Sequence, residues 1–379
     1  MRQRNLSLVL HAVAAHGPLS RADVAVRIGL TRAAVSTLVD ELTRAGLLVE
    51  LGRTRPGTVG RPGTALALSD SGPAGLGAEI GVDFLAVCAV DLRGRVRVRA
   101  EVAAVNRDSD PGPVLARLTA LVRRVAAQAR QENLRPSGLA VAVPGLVARG
   151  STTVVRAPNL GWEGVDVGPA LPEELPAVAV DNEANLGALA ELWVGGRPGD
   201  FVHVSAEIGI GAAVVVDGSL LRGAHGFAGE LGHVPVHPDG RPCPCGGRGC
   251  LEQYAGEEAV LRAVGMTAGQ GIPALRQRAA DGDVAVRRAL RGAGAALGTA
   301  LTGVVHLLDP RAIVLGGALA ELSPWLLPAA ERELGRRIAR PYGELAVSRL
   351  GADGPLLGAA HSVVQGVLDD PIGRTAAPA

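Results

Sequence analysis

The sequence predicts an α/β protein headed by a small, basic helical domain, and three observations predict it. A Gly-, Pro- and Arg-rich stretch, GRTRPGTVGRPG at 52–63, is followed by a second breaker cluster, SDSGPAG at 69–75; together they end a small domain near residue 70. Beyond that point β-like runs (Ala86–Val90, Val96–Val102, Leu139–Val143, Ala177–Val180) alternate with helical stretches (Val114–Glu132, Glu183–Trp193). Finally, residues 1–63 carry nine arginines against four acidic residues, although the whole chain is balanced at 38 basic and 37 acidic residues.

Composition narrows the class. With 379 residues the chain is long enough for two or three domains, at about 150 residues each. Hydrophobic residues at 47% and charged residues at 20% describe a globular chain and not a disordered one. Aromatics are only 2%, so the core must be built from Ala, Val, Leu and Ile. All 38 basic residues are Arg. No apolar run reaches the roughly 18 residues of a membrane span, so no membrane partner is expected. Four cysteines are too few for a disulfide-dense secreted scaffold. The stretch Leu6–Ala15 behind Arg2 and Arg4 loosely mimics a secretion leader, but His11 interrupts it; a helix packing on its neighbours explains it better.

The first 70 residues read as a winged helix-turn-helix. Asn5–His16 has helical periodicity and Gly17-Pro18 stops it. Ser20 offers an N-cap with Asp23 three residues on, a shortened capping box. Gly29 turns the chain, Thr31 caps a third helix, and Val35, Leu38, Val39 and Leu42 form its buried stripe at i, i+3, i+4, i+7. Small and polar residues in the first turns of that helix suit entry into a major groove about 12 Å wide. Leu47–Leu51 and Thr64–Leu68 then read as a two-stranded wing with Arg53, Arg55 and Arg61 on or near its tip. Operator DNA is the expected partner, and Ser20, Thr31, Arg32, Ser36, Thr37, Arg44, Arg53, Arg55 and Arg61 are the candidate contacts.

A faint repeat runs through the α/β part. AEIGVDFLAVCAVDLRG at 78–94 resembles AEIGIGAAVVVDGSLLRG at 206–223, and two related hairpins suggest two similar lobes. Farther on, Cys243, Cys245 and Cys250 fall within eight residues, preceded by His233. A disulfide between Cys243 and Cys245 would be badly strained. Three thiolates and an imidazole instead close a tetrahedral shell around one structural zinc, with His237 as a rival ligand. Cys88, isolated on an apolar strand, reads as a buried small hydrophobe.

A winged helix followed by AEIGV, VPGLV, PNLGW, DNEAN, AGELGH, CPCGGRGCLE and VLGG resembles the ROK family of repressors, open reading frames and sugar kinases, in its repressor branch, over nearly the whole chain. The resemblance implies an actin-like, hexokinase-like two-lobed ROK domain over 76–370. A hinge is expected near 182–190, with a C-terminal helix returning to the first lobe and a flexible tail over 371–379. It also implies a sugar cleft, one zinc per chain, and a dimer or tetramer. The implied sugar contacts are Asn159, Asn182, Glu183, Glu230, His233 and Glu252, and the metal ligands His233, Cys243, Cys245 and Cys250. His233 would hold zinc with one ring nitrogen and face the sugar with the other. Xylose, glucose and N-acetylated hexosamines are the sugars that family precedent suggests.

The chain departs from the family's kinases in three places. The Asp-x-Gly-x-Thr-like phosphate hairpin appears as Glu79, Gly81 and Asp83, and the second phosphate loop, Gly-Thr-Gly in kinases, reads Ser205-Ala206-Glu207. Like charges 4 Å apart repel by ~1 kcal/mol in water and ~4 kcal/mol at an effective dielectric of 20. ATP is therefore not expected as a ligand. The base-bearing Asn-Asp-x-Asn has become Asn182-Glu183-Ala184-Asn185, one methylene longer. Gly316-Gly317 survives, but a tight turn after a strand accounts for it equally well. No catalytic residue is assigned. The expected protein is a bacterial, cytoplasmic, sugar-responsive repressor of carbohydrate-use genes, nucleoid-associated when bound; a sugar kinase with an appended winged helix is the alternative.

Overall fold

The computed structural model describes residues 1–53, 64–176, 178–206, 209–267 and 271–373, with the side chain of Arg53 excepted. The chain divides into two compact units. One comprises Met1–Val143, Leu160–Val180 and Ala359–Ala379; the other comprises Pro144–Asn159 and Asp181–Gly358.

The first unit opens with the expected three helices. Arg2–His16 buries Leu6, Val9, Leu10 and Val13 and ends at Gly17. Arg21–Ile28 starts in a reciprocal capping box between Ser20 and Asp23 and ends at Gly29, whose left-handed φ of 69° turns the chain. Arg32–Arg44 is capped by the Thr31 hydroxyl, which accepts from Ala34 N–H, and buries Val35, Leu38, Val39 and Leu42, the four residues of the predicted stripe. Strands Leu48–Arg53 and Thr64–Leu68 pair antiparallel, and the short strand Leu19–Ser20 adds to the free edge of the latter. The wing is therefore anchored to the helical layer. Arg55 and Arg61, expected on or near its tip, lie outside the described residues.

Two sheets repeat one plan. In the first unit Gly72–Ile80 pairs antiparallel with Phe84–Asp91 and parallel with Leu134–Val143, and Val96–Ala103 extends the antiparallel side. The helix Pro111–Gln131 covers this sheet with Leu118, Val122 and Val125 fully buried. In the second unit Phe201–Ala206 pairs antiparallel with Ile210–Val216 and parallel with Ala312–Gly316, which pairs parallel with Glu344–Val347. The two copies of the sequence repeat fall at corresponding hairpins of these sheets. Burial on both faces explains the near-continuous apolar runs of the central strands. The long helix Val284–Leu308 packs against Ser323–Arg337 and closes the larger core of the second unit.

In the segment 182–190, Asn182 ends the strand Val178–Asn182 and the rest belongs to the helix Glu183–Trp193. The C-terminal helix runs Gly354–Asp369, and the tail beyond residue 373 lies outside the described residues. Among the described residues no helix is long and apolar enough to cross a membrane.

Candidate functional site

The second unit contains a cavity of about 500 Å³. Asn159, Asn182, Glu183, Glu230, His233 and Glu252 all line it. Local chemistry explains how each arrives there. Asn182 is the N-cap of Glu183–Trp193: its Oδ1 accepts from Ala184 N–H at 2.8 Å and Asn185 N–H at 3.3 Å, while Nδ2 donates to Gly145 O at 2.8 Å. Its side chain thus fixes the helix terminus and, among the described residues, has one amide hydrogen left. Glu183 is the first residue of that helix. Glu230 and His233 bracket a single 3-10 turn, Leu231–His233. Glu252 opens the short helix Glu252–Ala255, and its Oε2 accepts from Ile210 N–H at 3.2 Å. A Cβ on Gly209 would stand 2.4 Å from that same oxygen, so only glycine leaves the carboxylate its place.

Burial pushes the Glu230 carboxyl above its ordinary range; Glu252 adds to the rise and His233 opposes it. Carboxylates and amides converging on one cavity supply paired acceptors and donors of the kind that can hydrogen-bond hydroxyl groups. Phe227, Arg156 and Arg262 also line the cavity. Nothing in their sequence spacing marks them; only the fold brings them in.

His233, Cys243, Cys245 and Cys250 place one ligand atom each within 4.8 Å of one another. Cys243 Sγ is 3.7 Å from His233 Nδ1, and Cys245 Sγ is 3.7 Å from Cys250 Sγ. Two sulfurs each about 2.3 Å from a tetrahedral centre stand about 3.8 Å apart, whereas a disulfide needs about 2.05 Å. The spacing fits a tetrahedral cation and excludes a bond between Cys245 and Cys250 here. Burial and the neighbouring thiols push the Cys250 thiol up to about 12, a penalty that a cation removes by holding sulfur as thiolate. Gly247 N–H and Gln253 Nε2 donate to Cys245 and Cys243 sulfur at 3.4 and 3.8 Å, the outer support common around metal thiolates. The rival ligand is corrected: His237 packs its ring on Tyr254, centroids 4.6 Å apart, and stands outside the cluster. Cys88 is fully buried on Phe84–Asp91, as expected.

The positions expected to differ from the family's kinases are only partly among the described residues. Glu79 is buried at 3% exposure, so its carboxylate sits within the sheet instead of at the surface. Asp83 is exposed, and the Phe84 ring fills the space a side chain at Gly81 would need. Glu207 lies outside the described residues. Gly316 and Gly317 have a packing explanation: a Cβ would meet the His203 ring at 2.5 Å or Ala206 O at 2.4 Å.

In the N-terminal domain, Thr31, Arg32, Thr37 and Arg44 are exposed and Ser36 is half-exposed. They lie on the faces of Arg32–Arg44 that the buried stripe leaves open. The Ser20 hydroxyl is engaged with Asp23, donating at 2.7 Å, so its first role is to cap the helix Arg21–Ile28. Arg53 closes the first wing strand.

The ROK family matches residues 75–365, and the MarR family matches residues 6–61. The xylose repressor of Caldicellulosiruptor bescii is 30% identical over 393 aligned positions, covering 98% of both chains. A crystal structure of a ROK family transcriptional regulator, a homologue of the E. coli MLC protein, superimposes with a TM-score of 0.81 at 28% identity. It covers 99% of this chain and 98% of that one. A ROK family glucokinase from Streptomyces griseus, solved with glucose and AMPPNP, gives 0.65 at 26% identity, covering 76% of this chain and 98% of that one. The repressor relatives thus share both the helix-turn-helix and the α/β part, whereas the glucokinase covers a smaller share of this chain. With a winged helix-turn-helix of MarR type at its head, the chain belongs to the ROK family.

Proposed function

We propose that this protein is a sugar-responsive, DNA-binding transcriptional repressor that binds a free sugar in the cavity of its second unit without phosphorylating it. The observation that carries the proposal is the convergence of Asn159, Asn182, Glu183, Glu230, His233 and Glu252 on one cavity, in a chain headed by a winged helix-turn-helix. The full-length similarity to a xylose repressor supports the regulatory half, and makes carbohydrate-use genes the expected targets. Pentoses such as xylose, glucose and N-acetylated hexosamines are the candidate effectors.

His233, Cys243, Cys245 and Cys250 would hold one zinc ion, whose contribution is structural: four protein ligands leave no open position for chemistry. Held through Nδ1, the His233 ring keeps Nε2 toward Glu230 and the cavity. The acidic replacements at Asp83 and Glu207 and the longer base position at Glu183 disfavour ATP and phosphoryl transfer. An effector site gains from this, because a sensor that consumes its ligand does not report concentration. A sugar that binds the operator-incompetent conformation more tightly shifts the population away from DNA by that differential affinity. The functional protein is taken to be a homodimer or tetramer in the bacterial cytoplasm, two copies reading a two-fold operator.

The test is operator binding by the purified protein with and without D-xylose, D-glucose and N-acetylglucosamine, beside a coupled kinase assay on the same sugars. A sugar-dependent change in operator affinity without turnover is expected. Turnover of any sugar above about 1 s⁻¹, the low end of ordinary enzyme rates, overturns the repressor-only reading in favour of the kinase that the glucokinase similarity would allow.

A further inference from the structure

Two walls of the cavity come from segments distant in sequence. One is the N-terminus of the helix Glu183–Trp193, which carries Asn182 and Glu183. The other is the loop from Leu221 to Glu230, which carries Phe227 and Glu230. The loop is tied to the strand Ile210–Val216 at both ends, Leu221 N–H donating to Val214 O at 2.8 Å and Ala212 N–H to Gly229 O at 3.1 Å. Ala228 N–H closes it on Arg222 O at 3.2 Å. These bonds define the loop's base and do not relate it to the helix.

One carboxylate does. Asp181 Oδ2 accepts from Arg222 Nη2 at 2.7 Å. Its Oδ1 accepts from Asn182 N–H at 2.8 Å and from Asn185 Nδ2 at 2.9 Å. Both oxygens are thus engaged, one set on the helix terminus and the other on the base of the loop. The Asp181 side chain is only 14% exposed and that of Arg222 35%, so solvent screens the pair incompletely. Neither residue lines the cavity.

The geometry points to Asp181 and Arg222 as positioning residues of the effector site: their ion pair latches the Phe227–Glu230 loop to the Asn182–Glu183 helix terminus, so that the two walls stand preorganised for a sugar. This rests on the sugar-site reading above. Without the latch, the loop must be ordered by the ligand, and affinity falls by that ordering cost while no direct contact is lost.

The experiment is calorimetry on the full-length, metal-loaded protein with whichever of D-xylose, D-glucose or N-acetylglucosamine it binds most tightly. Asp181→Asn, which keeps the shape, Arg222→Gln and the double variant are compared. Each single variant is expected to raise Kd about tenfold and the double no more than either alone, because both remove one interaction. Metal content and operator affinity without sugar are expected unchanged, which a generally destabilised fold would not allow. Arg222→Lys, which keeps the charge, should stay within about threefold of the native protein and serves if the other variants misfold. Kd within twofold of native in both single variants, or multiplying effects in the double, overturns the latch. If the native protein binds none of these sugars, the proposed function falls instead. The latch is then judged by amide exchange over residues 222–230: faster exchange in both variants supports it, and native-like exchange overturns it.

Discussion

His233 Nε2 lies 3.8 Å from Glu230 Oε2, while Nδ1 of the same ring faces Cys243 Sγ at 3.7 Å. One imidazole therefore belongs both to the four-ligand cluster and to the cavity wall. A cation on Nδ1 would fix the ring's tautomer and its tilt toward Glu230, and so would couple metal content to the proposed effector site.

The first prediction follows directly. Protein purified without chelators should carry one zinc per chain by elemental analysis. Cys245→Ser should lose that metal and melt earlier, because a closed shell of protein ligands adds its binding energy to folding. A metal-free native protein that melts like the variant would refute the assignment.

Glu230→Ala should abolish the operator's response to sugar and leave affinity for DNA in the absence of sugar near normal. Gel-shift or anisotropy titrations with and without the effector check both halves. A variant that still responds to sugar would remove Glu230 from the site.

Gly209→Ala tests the close approach beneath Glu252. The added Cβ would press within 2.4 Å of Glu252 Oε2 and push the carboxylate off its hydrogen bond to Ile210. Sugar affinity should drop at least about tenfold, or 1.4 kcal/mol, with the metal retained. Calorimetry showing native affinity would mean that Glu252 takes no part.

Arg32 stands exposed in the first turn of the helix Arg32–Arg44. If it contacts phosphate, Arg32→Ala should weaken binding to all DNA sequences alike and reduce the salt slope of log K by about one unit. Unchanged affinity and slope would place DNA elsewhere on the domain.

His203 supplies a pH prediction. It is 4% exposed, and burial holds it down to about 4 from an ordinary 6.5. Between these values the unfolded chain binds the proton and the folded chain does not. The contribution to stability is therefore fully present above pH 6.5, falls as pH drops toward 4, and amounts to up to about 3 kcal/mol. Thermal unfolding from pH 7.5 to 4.5 should show the native protein losing stability more steeply than His203→Asn. Parallel curves would contradict the burial of a neutral ring.

Much of this protein was legible in its sequence because the signals are local. The stripe of Val35, Leu38, Val39 and Leu42, the Ser20–Asp23 box and the Gly29 turn all act within one helical repeat of themselves, so periodicity and capping chemistry determined the helix-turn-helix. The three cysteines lie within eight residues of one another, and the motif residues of the cavity are read together because the family pattern orders them. Tertiary structure alone decided between His233 and His237, since a backbone path chooses which imidazole meets the thiols. It alone brought Phe227 and Arg156 to the cavity, buried Glu79, and joined Asp181 to Arg222 across 41 positions. Such relations depend on sheet order and loop closure, which act between segments far apart in the chain, and no local spacing records them.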